Sequence, residues 1–582
     1  MVILGIADSM TSGAALIKDG IVVSAVNEER LNRQKMAWGF PWESIRCVLD
    51  IAGVGPEEVD AVAVATENLF FRPRALPYDG WFKKDEGFLK ETLLSVSSVV
   101  PLVLGAKPVL RKSYYAIKSL LTRNRRGLIT GILRKNFGLT CPVKFVDHHF
   151  AHACSAYFTS GMSECTVITM DGAGDNSSSH VYKVKDGRFE KLCDIDSFDS
   201  VGNYYAYITH ICGFKAHKHE GKITGLAAYG KPIYVDLLKR FISYEEGRIV
   251  NKGRLFYWSA IRGIKNALPS SFKIEDLAAS MQVVLEEICC QYVRYWVNKT
   301  GYRNVALAGG VFANVKLNQK IHELEEIESV FIHPGMGDEG LAVGAAFGLA
   351  NELGATNGKE VVPYRLRDVY LGPEYSDEDI KREIDKEGLS AEYVRDIEPR
   401  IAQLLSDGYV VARFAGRMEY GPRALGNRSI LYQPTDPSVN DWLNKKLKRT
   451  EFMPFAPVTL KEYVEQCYTN VEGAEYTAKF MTITFNCTEW MRKHCPAVVH
   501  VDNTARPQII DKETNPSYYR ILEEYRKITG LPSIINTSFN MHEEPIVCTP
   551  GDAIRAFKQG HLDYLAIGNF LIKNTNGMSR RY

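Results

Sequence analysis

One pattern occurs twice in the first part of this chain of 582 residues, and it constrains the fold more than any other feature. The first copy is an apolar run that ends in Asp8, a loop of small residues, and a second run that turns back at Asp19-Gly20. The second copy ends its apolar run in Asp171 and turns back at Asp186-Gly187. Asp-Gly between apolar runs is typical of tight β-hairpins. Two unrelated hairpins would be the simpler explanation, but the shared aspartate, loop and turn favour duplication.

A duplicated strand-and-hairpin unit with a carboxylate at each strand end is typical of the actin-like ATPase fold. In that fold two related halves close around a nucleotide, and glycine-rich hairpins direct backbone N–H groups at its phosphates. Residues 304–314 add a buried strand that runs into Gly309-Gly310, where a ligand or another backbone can approach closely. The pattern therefore predicts an α/β chain with an actin-like N-terminal domain.

Charge and cysteine usage exclude several classes of protein. The chain has 71 basic and 69 acidic residues, a balance that argues against a protein held mainly by nucleic-acid phosphates. Its 12 cysteines include no CxxC pair, which is typical of free thiols in a cytoplasmic protein. The start lacks a basic leader, and the apolar stretch 93–106 is interrupted by Pro101. We expect a cytoplasmic protein that binds neither nucleic acid nor membrane.

The composition also divides the chain. Residues 1–355 form the predicted first domain, 356–366 a linker rich in Gly, Asn and charge, and 367–582 a second α/β domain in which Ser376 caps a helix. Residues 70–135 interrupt the first domain with helices whose basic residues include Arg125 and Arg126. We expect this insertion to present a solvated basic face, and the alternative is a lid that steers a ligand.

Three of the chain's 13 histidines, His148, His149 and His152, lie within five residues. His148 and His152 are four positions apart, so on a helix they would share one face and could bind one metal ion. Core histidines are more common than ligands, and a metal site needs a carboxylate as well. Asp338, in a glycine-flanked turn before a small-residue helix, is a candidate ligand, and the alternative is a structural helix N-cap.

The second domain contains arginines in a segment shaped by glycine and proline. Arg417, Arg423 and Arg428 fall within residues 416–429, and Lys448, Arg449 and Arg506 follow. Guanidinium groups bind phosphate oxygens through paired hydrogen bonds, which suits a small phosphorylated substrate. Asn536, Ser538 and Asn540 then supply short polar side chains after an apolar strand.

Together these motifs resemble the carbamoyltransferase family of nodulation and antibiotic biosynthesis, the NodU/CmcH type. The matching segments of the first part are HHFAHA at 148–153, MDGAGD at 170–175, EGK at 220–222, GLAAYG at 225–230 and GGV at 309–311. Those of the second part are GPRALGNRS at 421–429, PFAP at 454–457 and NTSFN at 536–540. The resemblance covers essentially the whole chain.

The resemblance implies a Kae1-like domain of actin-like fold followed by a YrdC-like domain. The second domain would form carbamoyl adenylate from carbamoyl phosphate and ATP with Mg²⁺. The first would then transfer the carbamoyl group to a small-molecule acceptor beside a divalent metal, implied to be Fe²⁺. Relatives are often homodimers.

The same resemblance implies the site residues. The metal ligands would be His148, His152, Asp171 and Asp338, and the catalytic residues Lys448 and Arg449. The residues implied to bind cofactor are Asp175, Glu220, Lys222, Gly309, Gly310, Asn314, Arg417, Arg423, Arg428, Arg506, Asn536, Ser538 and Asn540.

Two positions depart from the family pattern. Met10 and Thr11 stand where relatives have His-Asp, and that histidine is a candidate general base. The base here is then another histidine, such as His149 or His180, or the acceptor is an amine that needs less help. For His149, a packing and hydrogen-bonding role is the preferred interpretation, and a substitute base is the alternative. Thr450 stands at a position that is basic in relatives, and this affects the implied phosphate site.

The leading hypothesis is a carbamoyltransferase that uses ATP and carbamoyl phosphate and acts on a hydroxyl or amine of a specialised metabolite. A tRNA-modifying transferase of the threonylcarbamoyl type is the second hypothesis, and the near-neutral charge argues against it. The third is a non-catalytic ATP-binding module, suggested by Met10 and Thr450.

Overall fold

The computed structural model describes residues 1–82, 119–120, 122–358, 360–449 and 453–574. Two five-stranded sheets form the N-terminal part. From edge to edge, the strands of the first sheet are Ile21–Asn27, Gly13–Lys18, Val2–Ala7, Ala61–Ala65 and Val143–Val146. Those of the second sheet are Arg188–Asp196, Ser177–Lys185, Glu164–Gly174, Asn304–Ala308 and Ser329–Ile332.

The two sheets have the same topology. In each, three sequential strands pair antiparallel, and two later strands extend the sheet in parallel from the first of the three. Parallel extension requires crossover connections, whereas the antiparallel part needs only tight turns. The predicted duplication and the actin-like α/β fold of this part are thereby confirmed.

Both predicted hairpin turns have the backbone conformation that their sequence requires. Asp19 and Gly20 have φ values of 50° and 79°, and Asp186 and Gly187 have φ values of 47° and 73°. Two consecutive left-handed residues define the turn whose twist matches that of the flanking strands, and Asp-Gly is among the pairs that tolerate it.

Two helices pack against each other between the sheets. Leu341–Asn357 lies on the first sheet and His148–Phe158 on the second. They approach so closely that a side chain at Gly344 would clash with the carbonyl oxygen of Ala151. This close packing brings the beginnings of both helices to one place. Among the described residues of this part, the other helices of at least eight residues are Trp42–Ala52, Asn124–Phe137, Val201–Ile211, Glu220–Ala227, Trp258–Ala267, Ile274–Thr300 and Val315–His322.

The C-terminal part is built on an eight-stranded mixed sheet. Its strands lie in the order Glu392–Tyr393, Phe570–Lys573, Tyr564–Ile567, Val411–Phe414, Arg428–Tyr432, Ser533–Ser538, Ala456–Leu460 and Gln508–Ile510. The larger helices around it are Asp377–Lys386, Ile397–Ser406, Val439–Lys446, Pro516–Thr529 and Pro550–Gln559. Ser376 caps the first of these helices through a reciprocal hydrogen-bond pair with Asp379, as predicted.

Arginine side chains tie the two parts together. Arg33, from the first part, donates to the carbonyl oxygens of Pro545 and Ile546 and faces the Asp552 carboxylate at 3.3 Å. In return, Arg417 from the second part donates to the carbonyl oxygen of Val23. Most of the acceptors are backbone carbonyl groups, so these hydrogen bonds form only when the backbones of both parts are folded.

Part of the basic insertion is described, whereas residues 83–118 and 121 lie outside the described chain. On the helix Asn124–Phe137, Arg126 and Arg134 are exposed, as expected for a solvated face. Arg125 contradicts that expectation, because its side chain is buried and forms an ion pair with Asp8. The helix presents two faces, and one of them belongs to the core.

The cysteine prediction is confirmed, since all 12 cysteines are free and most are buried. None of the helices in the described part of the chain combines the length and the apolar character needed to cross a bilayer.

Candidate metal centre and adjoining cavity

Four side chains from three elements converge between the sheets. His148 and His152 come from the first two turns of their helix, Asp171 from the strand Glu164–Gly174, and Asp338 from the turn before Leu341–Asn357. The Nε2 atom of His148 lies 3.7 Å from carboxylate oxygens of both aspartates, and that of His152 lies 3.4 Å from Asp171 and 3.9 Å from Asp338. One ligand atom from each residue lies within 4.8 Å of all the others.

Local structure explains why the histidines face this point. The Asp147 side chain caps the helix by accepting from the Phe150 N–H at 2.8 Å, and the spacing of four residues places His148 and His152 on one face. Asp175 accepts from the His148 backbone N–H at 2.9 Å. A side chain at Gly174 would overlap the His148 ring, so a glycine is required there.

Backbone N–H groups orient the Asp171 carboxylate. Its Oδ1 accepts from Gly172 at 2.6 Å, and its Oδ2 accepts from Gly310 at 3.1 Å. Gly309 has a φ of 109°, and a side chain there would clash with the backbone of Met170. The Gly309-Gly310 pair thus brings its backbone against the Met170-Asp171 segment, which confirms the close backbone approach predicted for these glycines.

Asp338 does not cap a helix. It begins the short 3-10 helix Asp338–Gly340, and neither that helix nor Leu341–Asn357 has a side-chain cap hydrogen bond. The structural alternative considered for this residue is therefore excluded, and its carboxylate faces the two histidines instead.

The histidine nitrogens that face the cluster have no protein partner. His148 Nδ1 lies 3.1 Å from Thr66 Oγ1, an arrangement that orients the ring and leaves Nε2 for a ligand. The Nε2 atoms of His148 and His152 are buried and make no hydrogen bond with the described residues. Orphaned buried imidazole nitrogens beside two carboxylates fit a transition-metal ion.

Electrostatics lead to the same conclusion. Burial alone would lower the pKa of His148, but Asp338 and Asp171 outweigh it and raise that pKa to about 9. Burial and the nearby charge of Asp171 raise the pKa of Asp338 to about 7. Two carboxylates this close and this buried repel each other, and a bound cation would remove that repulsion.

The cluster opens into a cavity of about 410 Å³. Its walls include Met10 and Thr11 of the first hairpin loop, His217 of the loop before the helix Glu220–Ala227, Glu220 at the start of that helix, and Arg423 of the C-terminal part. The cavity therefore lies at the junction of the two parts. Burial raises the pKa of Glu220 to about 7, and its carboxylate accepts from the His217 backbone N–H at 2.5 Å.

Other predicted residues of the first part have structural partners. Asn314 caps the helix Val315–His322 and donates to Gln282 at 2.8 Å, although it also lines the cavity. Asp175 accepts from the backbone of Glu67 and Asn68 as well as from His148. Lys222 is buried, with its ammonium 5.9 Å from the centre of the Phe214 ring.

His149 makes two hydrogen bonds in the core. Its Nδ1 lies 2.9 Å from Thr169 Oγ1 and its Nε2 lies 3.0 Å from the carbonyl oxygen of Ser177. The ring is fully buried, and burial holds its pKa well below the usual range. This geometry is that of a packing residue, because both ring nitrogens already have partners in the core.

A second cluster lies on the eight-stranded sheet around Arg449. Its guanidinium donates to the Thr537 hydroxyl at 2.9 Å, to the Ser538 carbonyl oxygen at 2.6 Å and to the Asn540 side chain at 2.9 Å. Lys448, with a φ of 58°, is exposed beside it. The structure thus brings four of the predicted C-terminal residues together, whereas Thr450 lies outside the described residues.

The remaining arginines and Asn536 differ in accessibility. Arg428 is fully buried, donates to the carbonyl oxygens of Ala415 and Gly416, and lies 3.7 Å above the Phe414 ring. Such a guanidinium shapes the segment and is not exposed to a ligand. Asn536 is buried and donates to the carbonyl oxygen of Ala424, next to Arg423 in the cavity wall. Arg506 is half-buried.

One contact between the two parts lies between the Arg449 cluster and the cavity. Glu543, three residues after Asn540, forms an ion pair with Lys218 at 2.5 Å and with His219 at 3.0 Å. Lys218 also lines the cavity.

His217 is a cavity residue that the sequence did not indicate. No repeat, spacing or motif distinguishes it, because it belongs to the cavity only through the tertiary contact of its loop with Gly172 and Trp81. Its unusual backbone, with a φ of 60°, is visible only in the structure.

An actin-like pair of sheets with a two-histidine, two-aspartate centre, joined at a cavity to a second α/β part, defines a protein with a candidate metal site. Comparison with family models matches residues 2–347 to the carbamoyltransferase N-terminus and residues 402–574 to the carbamoyltransferase C-terminus. The chain belongs to the carbamoyltransferase family and is a carbamoyltransferase.

Relatives match over most of their length. The nodulation protein NolNO of Sinorhizobium fredii is 34% identical, covering 97% of this chain and 79% of the relative. A protein of Synechocystis sp., sll1178, is 32% identical over 97% of this chain and 95% of its own. The solved structure of full-length HypF in the phosphate- and nucleotide-bound form is 14% identical over 61% of this chain and 46% of that one, with a TM-score of 0.31, which is too low to transfer a fold or a ligand.

Proposed function

We propose that this carbamoyltransferase uses ATP to activate carbamoyl phosphate as carbamoyl adenylate and transfers the carbamoyl group to a hydroxyl or amine of a small specialised metabolite. Activation would take place in residues 367–582 and transfer in residues 1–355. The observation that carries the proposal is the cavity shared by Asp171 and Asp338 on one side and Arg423 of the C-terminal part on the other. A site of this kind can receive an intermediate that is formed in the C-terminal part.

The Arg449 cluster suits the activation step. Thr537, Ser538 and Asn540 hold the guanidinium in one orientation, so little conformational entropy is lost when an anion binds. Exposed Lys448 next to it adds a mobile positive charge for a phosphate. We infer that water hydrolyses carbamoyl phosphate to carbamate and phosphate, and that a carbamate oxygen then attacks the α-phosphate of Mg²⁺-bound ATP here, so that pyrophosphate leaves.

The transfer site would hold a divalent metal through His148, His152, Asp171 and Asp338. Mixed imidazole and carboxylate ligands suit iron, and Fe²⁺ is the ion we propose. When bound, such an ion would supply Lewis-acid polarisation and neutralise phosphate charge. The chain's own contribution is to place Arg423 and backbone N–H groups around the same cavity.

Transfer within the protein would protect a hydrolysable intermediate. Carbamoyl adenylate reacts with water, and passage from one part to the other without release to solvent would limit its exposure. We place the reaction in the cytoplasm, where ATP and carbamoyl phosphate are available and the 12 free thiols stay reduced.

The proposal is tested by separating the two steps. Activation is measured as exchange of labelled pyrophosphate into ATP that requires carbamoyl phosphate, and transfer is measured by mass spectrometry of a metabolite panel for the gain of one carbamoyl group. We expect Arg449→Met to lower exchange about 100-fold or more, as expected when a donor to a developing charge is lost. The exposed Lys445→Met is the matched control.

His152→Asn should show the reverse pattern, with exchange retained and transfer lost. Absence of exchange in the wild-type protein would sink the adenylate mechanism. If exchange occurs but is equally reduced in Arg449→Met and Lys445→Met, the assignment of the activation site is wrong.

A further inference from the structure

The first hairpin loop offers no base to the cavity. Met10 and Thr11 line it, and the Thr11 hydroxyl donates to the carbonyl oxygen of Met10 at 2.7 Å. Of the two histidines considered as replacements, His149 is fully hydrogen-bonded in the core. His180 is buried elsewhere, with Nδ1 2.9 Å from the Tyr182 hydroxyl and Nε2 3.3 Å from Asp194. An acceptor in this cavity therefore needs another group to take its proton.

His217 lines the cavity at its metal-ligand end. Its Cε1 would lie 2.8 Å from a Cβ placed on Gly172, the residue after Asp171. The Trp81 ring packs against the imidazole with centroids 3.8 Å apart and limits its rotation. The side chain is thus held beside the space where the carbamoyl group would be transferred.

The backbone at His217 is held in a costly conformation. Its φ is 60°, in the left-handed region that non-glycine residues rarely occupy. The Glu220 carboxylate accepts its N–H at 2.5 Å and stabilises this conformation. Such backbone strain concentrates at functional sites. A glycine would avoid the strain, so the presence of histidine indicates a use for the side chain.

The imidazole also lacks the partners that a structural histidine has. Its Nε2 is buried and makes no hydrogen bond among the described residues, whereas both ring nitrogens of His149 have partners. A buried unpaired nitrogen in a native protein requires an explanation, and a missing ligand is one. His217 lines the cavity, whereas His149 packs in the core.

We propose that His217 is a catalytic residue of the transfer step, which orients the nucleophilic hydroxyl or amine of the acceptor and takes its proton. This inference rests on the proposed function. As the acceptor oxygen or nitrogen bonds to the carbamoyl carbon, the bond from that carbon to the phosphate oxygen breaks and AMP leaves with the electron pair. The acceptor's proton passes to the unprotonated imidazole nitrogen of His217.

Burial lowers the pKa of His217 even though Asp171 opposes the shift, so the imidazole is neutral before the acceptor binds. A neutral imidazole has one lone pair available at cellular pH. The side chain forms no ion pair with a described carboxylate that would block that lone pair.

The test compares two nucleophiles in His217→Gln, His217→Ala and the control His322→Gln. Without an added acceptor, water takes its place, and transfer is followed as AMP release. Hydroxylamine is the second probe, because it attacks activated carbonyl groups without a general base. We expect His217→Gln to lower AMP release to water about 100-fold or more and to leave the hydroxylamine product near the wild-type rate. Imidazole added to His217→Ala should restore part of the reaction with water.

Pyrophosphate exchange and bound metal are measured on the same samples. Both should stay at wild-type levels in the His217 variants, which shows that they are folded and that activation is intact. The inference is overturned if His217→Gln releases AMP to water as fast as wild type, or if the water and hydroxylamine reactions fall together. Absence of exchange in the wild-type protein would contradict the proposed function itself.

Discussion

The Arg125 guanidinium donates two hydrogen bonds to the Asp8 carboxylate, from Nε to Oδ2 at 3.0 Å and from Nη2 to Oδ1 at 2.5 Å. Both side chains are buried. Asp8 and Asp171 occupy the same place in the two copies of the duplicated unit, but Asp171 faces His148 and His152 instead of a fixed cation. One copy has kept its carboxylate for structure, and the other presents it at the candidate metal site.

Replacing Arg125 with Met should reduce the free energy of unfolding by about 3–5 kcal/mol, because the Asp8 charge would remain buried without a partner. Urea denaturation measures the effect. Arg126→Met is the matched control on the same helix, since Arg126 is exposed, and it should change stability by less than about 0.5 kcal/mol. Equal losses in the two variants would show that the pair does not stabilise the fold.

The metal assignment predicts that His152→Asn removes the bound ion. His152 contributes a buried Nε2 without a protein partner, so the variant loses a ligand and gains no compensating bond. Metal content of the purified protein, measured by mass spectrometry after equilibration with Fe²⁺, should fall from about one ion per chain to a small fraction. His322→Gln should retain the ion. A variant that keeps its metal would remove His152 from the ligand set.

Thr66→Val should weaken metal binding without removing a ligand. The Thr66 hydroxyl lies 3.1 Å from His148 Nδ1 and orients the ring. Loss of a partner of this kind costs about 10- to 100-fold in metal affinity. Competition with a chelator measures the change. Thr130→Val, whose hydroxyl bonds only to its own helix at Arg126, is the control, and equal affinities in the two variants would contradict the orienting role.

The metal-free protein should lose stability as pH rises. Burial and Asp171 raise the pKa of Asp338 to about 7, and the two aspartates raise that of His148 to about 9 against the effect of burial. Both groups bind protons more tightly in the folded state, so the stabilisation by those protons is present at low pH and is lost as pH rises through about 7 and then about 9.

Metal binding should have the opposite pH dependence, since the ligands must release those protons. The difference in Tm between the metal-loaded and the metal-free protein should therefore widen with pH. Thermal denaturation of both forms measures it. A difference that narrows with pH would contradict the proton competition.

Gly344→Ala should disturb the metal site from a distance. A side chain there would clash with the Ala151 carbonyl oxygen. The clash would push the helix that carries His152 away from the helix that follows Asp338. Overpacking of this kind costs about 1–3 kcal/mol in stability, and the metal affinity should fall with it. Gly348→Ala on the same helix meets only side chains, the nearest at 3.3 Å, and should be tolerated. Similar metal affinities in the two variants would show that helix packing at Gly344 does not affect metal binding.

Much of the architecture follows from local patterns. The Asp-Gly turns were predictable because the left-handed pair they form is a property of those two residues. The alignment of His148 and His152 follows from helical spacing, and the Ser376 cap from its position before a helical segment. The duplicated strand order agrees with the duplicated sequence pattern for the same reason.

The roles of single polar residues were less predictable. Asp338 has equally good local reasons to cap a helix or to bind a metal, and only its position beside His148 distinguishes them. Arg125 belongs to a basic run, yet Asp8, more than a hundred residues away, determines that it is buried. Asn314, Asp175 and Arg428 match family motifs, but their polar groups are used largely within the protein.

By itself, the sequence determined the repeated hairpins, the histidine helix and the family, because each depends on neighbouring residues or on ordered motifs. Only the tertiary structure decided that Arg125 neutralises Asp8 and that the carboxylates of Asp171 and Asp338 face the two histidines. It alone also showed that His217 lines the cavity. The physical reason is the distance along the chain between the interacting residues. Side-chain burial and electrostatics depend on partners brought together by helix and sheet packing, and no local pattern specifies them.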